Sequence, residues 1–154
     1  MKNIKIYTDG ACSFNPGPGG WGAVLIYSGR EKEISGFVDS TTNNRMELLA
    51  VIQALKNLKE KCSIEIYTDS AYVCNAFNNN WITDWQLNRW RTSAKKEVLN
   101  QDLWKELLDC TIPHKIKWIK VKGHSDNKYN NKCDELARAQ IQKNIKDMPK
   151  DETV

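Results

Sequence analysis

Five short stretches of the chain have the sequence character of β-strands. Apolar and polar residues alternate in most of them with the period of two that is typical of a strand with one buried face. The stretches are residues 4–8, 21–27, 31–38, 64–68 and 115–122. The first three follow closely on one another, separated by a glycine- and proline-rich loop at 15–20 and a turn at Ser28-Gly29. We therefore expect these three to form an antiparallel meander.

Elsewhere the apolar residues recur with the period of a helix. This pattern predicts helices over residues 44–59, 70–77, 103–108 and 134–145. Residues 78–99 are polar and contain several tryptophans, and no element is predicted there. Because strands cluster first and then alternate with helices, the chain predicts one α/β domain with a mixed sheet. We place this domain at residues 1–145 and expect residues 146–154 to form a flexible C-terminal tail.

The composition narrows the class of protein. Of the 154 residues, 40% are hydrophobic, which is enough for a buried core and argues against a wholly disordered chain. No apolar run approaches the roughly 18 residues needed to cross a membrane, and the N-terminus has no apolar signal segment. The net charge is only +4, from 23 basic and 19 acidic residues, so charge alone does not indicate a nucleic-acid-binding protein.

The cysteines and histidines disfavour a structural zinc site. The five cysteines include no C-x-x-C pair, and there are only two histidines. We expect reduced thiols in a cytoplasmic protein. Any metal chemistry would then depend on carboxylates, which favour a hard cation such as Mg²⁺ or Mn²⁺ over Zn²⁺.

An internal repeat places two aspartates in matching positions. Residues 4–9 and 64–69 share the pattern Ile-x-Ile-Tyr-Thr-Asp. If the two strands lie parallel and adjacent, Asp9 and Asp69 emerge side by side at the carboxyl edge of the sheet, where α/β proteins commonly place their sites. Glu47 and Asp134 lie near the starts of two predicted helices. Clustered carboxylates repel one another, so such a cluster normally persists because it binds a divalent cation.

Each of these acids also has an ordinary structural interpretation. Asp9 precedes a glycine at the end of a predicted strand, and Asp69 precedes a helix that it could cap. Glu47 and Asp134 each follow an asparagine by three residues, which is the spacing of a capping box. Taken singly, each acid could be a cap or turn residue, whereas the combination of all four favours a cluster.

Six motifs occur along the chain in a fixed order. They are Tyr-Thr-Asp-Gly-Ala-Cys (7–12), Asn-Pro-Gly-Pro-Gly-Gly-Trp-Gly (15–22), Thr-Thr-Asn-Asn-Arg-Met-Glu-Leu (41–48), Thr-Asp-Ser (68–70), Lys-Gly-His-Ser (122–125) and Cys-Asp-Glu-Leu-Ala (133–137). In order and spacing they resemble the type 1 ribonuclease H family, over about residues 3–142. The resemblance implies an α/β ribonuclease H-like fold: a five-stranded mixed sheet of order 3-2-1-4-5, flanked by helices.

The resemblance also implies the chemistry. The family hydrolyses the RNA strand of RNA/DNA hybrids to 5′-phosphate and 3′-hydroxyl ends, using two Mg²⁺ ions for which Mn²⁺ can substitute. The implied metal ligands and catalytic carboxylates are Asp9, Glu47, Asp69 and Asp134. His124, in a polar loop, is implied to be a catalytic proton shuttle. From the residues alone, a lone loop histidine is more often simply solvated.

Two further regions are implied to contact the hybrid. A hybrid displays ribose 2′-hydroxyls in a shallow minor groove, where small residues and amide side chains can test for RNA. The groove-contacting residues would be Gly10, Cys12, Asn15, Thr42, Asn43 and Asn44. Without the resemblance, the asparagines among them are ordinary turn and cap residues.

The second region lies in residues 81–96, where tryptophans are interspersed with basic residues. It resembles the family's basic protrusion, which grips the DNA strand by aromatic and charged contacts. We refer to its four cations, Arg89, Arg91, Lys95 and Lys96, as the handle, and assign Trp81 to the same surface. The other two tryptophans of the segment, Trp85 and Trp90, fit a core equally well.

We expect a free-standing, bacterial-type monomer with the RNA/DNA hybrid as substrate, no membrane association and no obligate protein partner. Two other classes remain as alternatives. A transposase-like nuclease core would use an acidic triad on the same fold, but would normally carry separate DNA-binding domains. A hybrid-binding module without catalysis would be expected to have lost at least one carboxylate, whereas all four are present.

Overall fold

The computed structural model describes residues 1–122 and 127–146. Strands and helices follow one another along the described chain, with most of the helices after the third strand. They are β1 (Lys2–Cys12), β2 (Gly17–Tyr27), β3 (Arg30–Thr41), α1 (Asn43–Lys56), β4 (Cys62–Thr68), α2 (Ala71–Asn78), α3 (Trp81–Leu87), α4 (Gln101–Thr111), β5 (Lys115–Lys120) and α5 (Lys128–Lys146).

The five strands form one mixed sheet of order β3-β2-β1-β4-β5, which confirms the expected fold. β1, β2 and β3 form the antiparallel meander, while β4 lies parallel to β1 and β5 parallel to β4. The register of β1 on β4 runs from Lys2 opposite Cys62 to Tyr7 opposite Tyr67. The two copies of the Ile-x-Ile-Tyr-Thr-Asp pattern are therefore aligned residue for residue.

The alternation within these two strands divides the core between the faces of the sheet. Their isoleucines, such as Ile6 and Ile66, are fully buried against α1 and α4, where Trp104 is also fully buried. On the opposite face the rings of Tyr7 and Tyr67 stack 4.5 Å apart beneath α5. Both faces of the central strands are thus covered, and their carboxyl edge is left for a site.

α5 packs closely across the meander because the strand beneath it carries glycine. A Cβ atom at Gly20 would clash with the carbonyl oxygen of Ala137 on α5. The close approach of helix and strand fixes the position of α5, and with it that of Asp134, relative to β1.

The predicted loop at 15–20 is largely strand, so that expectation was wrong. β2 begins at Gly17, and Gly19 and Gly20 pair with Cys12 and Ala11. β1 likewise continues past Asp9 to Cys12. Glycine and proline are typical of loops, but here the pairing of two long strands outweighs that local preference.

Two helices also differ from the sequence-based prediction. α5 begins at Lys128, six residues before the predicted start at Asp134. The Asn127 side chain accepts hydrogen bonds from the backbone N–H groups of Tyr129 and Asn130, at 3.1 and 3.0 Å, and so caps the first turn. α3 occupies part of the polar segment in which no element was predicted. The expected tail was residues 146–154; its first residue, Lys146, is the last residue of α5, and residues 147–154 lie outside the described residues.

None of the helices in the described ranges combines the length and the apolar character that crossing a bilayer requires.

Candidate active site

Three carboxylates converge at the carboxyl edge of the sheet. Asp9 on β1, Glu47 on α1 and Asp69 after β4 each offer an oxygen atom, and these atoms lie within 4.8 Å of one another. Asp9 and Asp69 meet because each follows its tyrosine by two residues on aligned parallel strands. Asp9 and Glu47 are buried, and Asp69 is half-buried.

Glu47 reaches the two aspartates because α1 lies directly on β1. A Cβ atom at Gly10 would lie 2.5 Å from the backbone nitrogen of Glu47, so only glycine permits this approach. α1 begins with Thr42 as its N-cap, whose Oγ1 accepts a hydrogen bond of 3.2 Å from the Arg45 N–H. The close contact between β1 and α1 at Gly10 holds Glu47 at the sheet edge.

The capping interpretation of the acids is wrong. Thr42, not Asn44, caps α1, and Ser70, not Asp69, caps α2 through a bond from the Val73 N–H. The early start of α5 places Asp134 beyond its first turn. Asp9 lies inside β1, where the Gly10 N–H donates to its Oδ1 at 3.0 Å. The side chains of all four acids are free of helix-capping roles.

The buried carboxylates repel one another electrostatically. Burial, reinforced by the negative charge of Asp69, raises the pKa of Asp9 to about 7. Burial and the charge of Asp9 raise the pKa of Glu47 well above its usual value. A fold that concentrates acids in this way loses free energy unless a cation neutralises them.

The residues present fit a divalent cation. Oε2 of Glu47 is buried and has no hydrogen-bond partner among the described residues, so it is available as a ligand. The converging atoms are all carboxylate oxygens, which hard cations such as Mg²⁺ prefer. The buried Oε2 of Glu47 is thus suited to binding a cation.

Asp134 lines the same cleft but is not part of the converging group. Its charge contributes to the raised pKa of Asp9, so it lies within electrostatic reach of the cluster. Its Oδ1 accepts a hydrogen bond of 3.0 Å from Nε of Arg138, one turn further along α5. Sequence reasoning did not select Arg138, although its spacing of four from Asp134 is a recognisable signal.

A cleft of about 760 Å³ opens above the acids. Of the groove-contacting residues, Gly10, Cys12, Asn43 and Asn44 line it. Asn15 lies beside them, since its Oδ1 accepts a hydrogen bond of 3.1 Å from the Asn43 N–H. The other lining residues were not predicted from the sequence; they are Ala11, Ser13, Ser70, Ala71, Tyr72, Arg138, Ile141, Gln142 and Ile145.

Tyr72 is held rigidly in the wall of this cleft. Its hydroxyl oxygen accepts hydrogen bonds from Nε1 of Trp104 at 2.9 Å and from Nδ2 of Asn100 at 3.1 Å. No motif in the sequence links these three residues, which come together only through the packing of α2 on α4.

The handle does not line the cleft. All four of its cations are exposed, on a loop closed by a bridge between Arg91 and Glu97. Trp81 is half-buried and packs with Trp85, 6.4 Å between ring centroids, against the core. The tryptophans of this segment therefore anchor the loop to the core.

His124, the proposed proton shuttle, lies outside the described residues.

Comparison with known proteins identifies close relatives. The family model described as RNase H matches residues 1–142. A curated protein from Caldanaerobacter subterraneus, named Ribonuclease H, is 63% identical over 153 residues, covering 97% of this chain and 100% of its own. Another with the same name, from Acetivibrio thermocellus, is 62% identical over 146 residues, covering 95% of this chain and 99% of its own.

Solved structures share the architecture. The crystal structure of LC9-RNase H1, described as a type 1 RNase H with the type 2 active-site motif, superposes with a TM-score of 0.82 at 26% identity. The match covers 93% of this chain and 74% of that one. LC11-RNase H1, solved in complex with an RNA/DNA hybrid, superposes with a TM-score of 0.71 at 24% identity, covering 92% and 99%. At that identity the likeness to the second structure concerns the fold alone.

Proposed function

This chain belongs to the ribonuclease H family of endoribonucleases, and on that premise we propose that it hydrolyses the RNA strand of RNA/DNA hybrids by two-metal-ion catalysis, leaving 5′-phosphate and 3′-hydroxyl ends. The observation that carries the proposal is the convergence of three carboxylates at the carboxyl edge of the sheet, in a cleft that Asp134 also lines.

We assign the ligand role to Asp9, Glu47, Asp69 and Asp134, and the physiological cation to Mg²⁺, with Mn²⁺ as a substitute. When bound there, a pair of such ions would activate the attacking water and stabilise the leaving 3′ oxygen. The chain prepares the site by holding its oxygens in place: the Gly10 N–H orients Asp9, and the packing of α1 on β1 orients Glu47.

His124 would supply the proton that the leaving 3′ oxygen needs. An imidazole can donate a proton to the leaving oxygen and then take another proton from solvent. Because the histidine would act after metal and substrate are bound, its removal should slow turnover without weakening either binding step.

The substrate would lie across both the cleft and the handle. The groove-contacting residues would test for ribose 2′-hydroxyls beside the carboxylates, and the exposed cations of the handle would bind the DNA strand. Contacts of the second kind are electrostatic and independent of sequence, so they should make hybrid affinity depend on salt.

We further propose that the chain acts as a monomer, without an obligate protein partner, in the cytoplasm. All five cysteines are free thiols, which suits a reducing compartment.

The test is incubation with a hybrid that carries different labels on its RNA and DNA strands, alongside duplex DNA and duplex RNA of the same sequence. We expect cleavage of the labelled RNA strand of the hybrid only, with products that carry a 5′-phosphate and can be extended from a 3′-hydroxyl. A hybrid-binding module would retain the hybrid without cutting it, and a transposase-like core would act on duplex DNA. Either result would contradict the proposal.

A further inference from the structure

An aromatic residue stands in an unfavourable conformation beside the cleft. The Phe14 backbone has φ 62°, in the left-handed region that bulky residues rarely adopt. Its side chain is 85% exposed and therefore gains little from packing. Strain at a residue that contributes so little to the core indicates a role other than stability.

Polar contacts hold the backbone on both sides of Phe14. The Ser13 N–H donates to the Pro18 carbonyl at 2.8 Å, and the Cys12 Sγ lies 3.3 Å from the carbonyl oxygen of Phe14. On the other side, Asn15 is held to α1 through its hydrogen bond with the Asn43 N–H. These contacts hold the backbone of the loop at Phe14 in a defined place.

That place is the rim of the cleft. Ser13, which precedes the ring, lines the cleft, and so does Asn43, which holds the residue that follows it. Phe14 thus stands at the side of the cleft that we assign to the minor groove of the hybrid.

We propose that Phe14 packs its ring against the sugars of the bound hybrid at the edge of the minor groove and thereby sets how tightly the substrate is held. The inference rests on the proposed function. A phenyl ring forms no hydrogen bond and reads no base edge, but it offers a flat apolar surface that suits sugar faces in a shallow groove. The contact should therefore add affinity for a hybrid of any sequence. It should leave the chemical step, which belongs to the carboxylates, unchanged.

The experiment combines kinetics with direct binding. KM and kcat are measured for Phe14→Ala, Phe14→Gly and Phe14→Tyr on two hybrids of unrelated sequence. Hybrid affinity is measured by fluorescence anisotropy for the same changes made in an Asp69→Asn background, which separates binding from cleavage. The matched control is Ile112→Ala: Ile112 is 79% exposed and lies just before β5, at the opposite edge of the sheet from the carboxylates.

We expect Phe14→Ala to raise KM and the dissociation constant by about 10-fold on both hybrids, the loss typical of removing an aromatic contact to a nucleic acid. The value of kcat should stay within about twofold of the wild-type value. Phe14→Tyr and Ile112→Ala should bind normally. Phe14→Gly should lose as much affinity as Phe14→Ala yet melt at a higher temperature than that variant, because glycine tolerates the positive φ.

Unchanged KM in Phe14→Ala, or an equal loss in Ile112→Ala, would overturn the inference while the proposed function stood. A loss confined to one hybrid sequence would also overturn it, because the ring would then be reading bases. If the wild-type chain neither bound nor cut hybrids, the proposed function would fail and the inference with it.

Discussion

Replacing Asp9 by asparagine should abolish hybrid cleavage and yet stabilise the metal-free fold. The raised pKa of Asp9, about 7 against an ordinary 3.8, means that ionising this buried carboxyl costs the folded state free energy. A shift of that size corresponds to roughly 4 kcal/mol of lost stability at a pH well above 7. An amide in the same place carries no charge and can still accept the hydrogen bond from the Gly10 N–H.

The expected gain is smaller than that figure, because a buried amide also needs partners. We expect Asp9→Asn to raise the free energy of unfolding by about 1–3 kcal/mol at pH 8 in EDTA, or roughly 3–10 °C in melting temperature for a chain of this size. The sign of the pH dependence follows from the raised pKa. Below pH 3.8 the carboxyl is protonated in both the folded and the unfolded state, so the penalty is absent; it grows as the pH rises through the window up to about 7.

Thermal melts followed by circular dichroism at several pH values between 4 and 8 measure this difference. The variant should gain little at the acidic end and most at pH 8, where added Mg²⁺ should stabilise the wild type more than the variant. Asp39→Asn, a change of the same kind at an exposed position near the end of β3, should have no such effect. A lower stability of Asp9→Asn at pH 8, or a gain in stability that does not depend on pH, would show that ionising the Asp9 carboxyl does not cost the fold free energy.

Three other substitutions test the handle, His124 and the packing of α5. Replacing the four handle cations by alanine should raise KM more than it lowers kcat. It should also flatten the salt dependence of hybrid affinity, because fewer counterions are released on binding. An unchanged slope in salt titrations would mean that the loop is structural. His124→Ala should lower kcat by about 10- to 100-fold in steady-state kinetics. Its Mg²⁺ affinity should be unchanged by calorimetry, and complete inactivity or weakened metal binding would contradict the shuttle role. Gly20→Ala should lower the free energy of unfolding by about 1–3 kcal/mol in urea titrations, because a Cβ atom would clash with the Ala137 carbonyl oxygen; wild-type stability would argue against the close packing of α5 on β2.

The central sheet could be predicted because the residues that determine it lie within two short segments of the chain. The repeated Ile-x-Ile-Tyr-Thr-Asp pattern puts the same side chains on the same faces of two strands, and parallel alignment then buries both sets of isoleucines together. The meeting of Asp9 and Asp69 follows from that register alone. Pattern and register agree here because one face of each strand must be buried, and a slip by one residue would expose it.

The features that were not predicted depend on contacts between distant segments. The start of α5 is polar, and it is helical because Asn127 caps it and Cys133 is buried beneath it. Glu47 joins the aspartates only because Gly10 lets α1 approach the sheet, which no periodicity reveals. The role of the tryptophans at 81–90 as anchors for the handle likewise depends on packing: Trp85 packs on Trp104, and Trp81 and Trp90 pack on Trp85.

Single-turnover cleavage of one RNA-labelled hybrid, followed as Mg²⁺ is titrated from EDTA, tests the metal-carboxylate mechanism most directly. We expect no cleavage in EDTA, a rate that rises more steeply than first order in Mg²⁺ at low concentration, and no cleavage by Asp69→Asn at any concentration. Cleavage without a divalent cation, or an Asp69→Asn rate equal to that of the wild type, would contradict this mechanism.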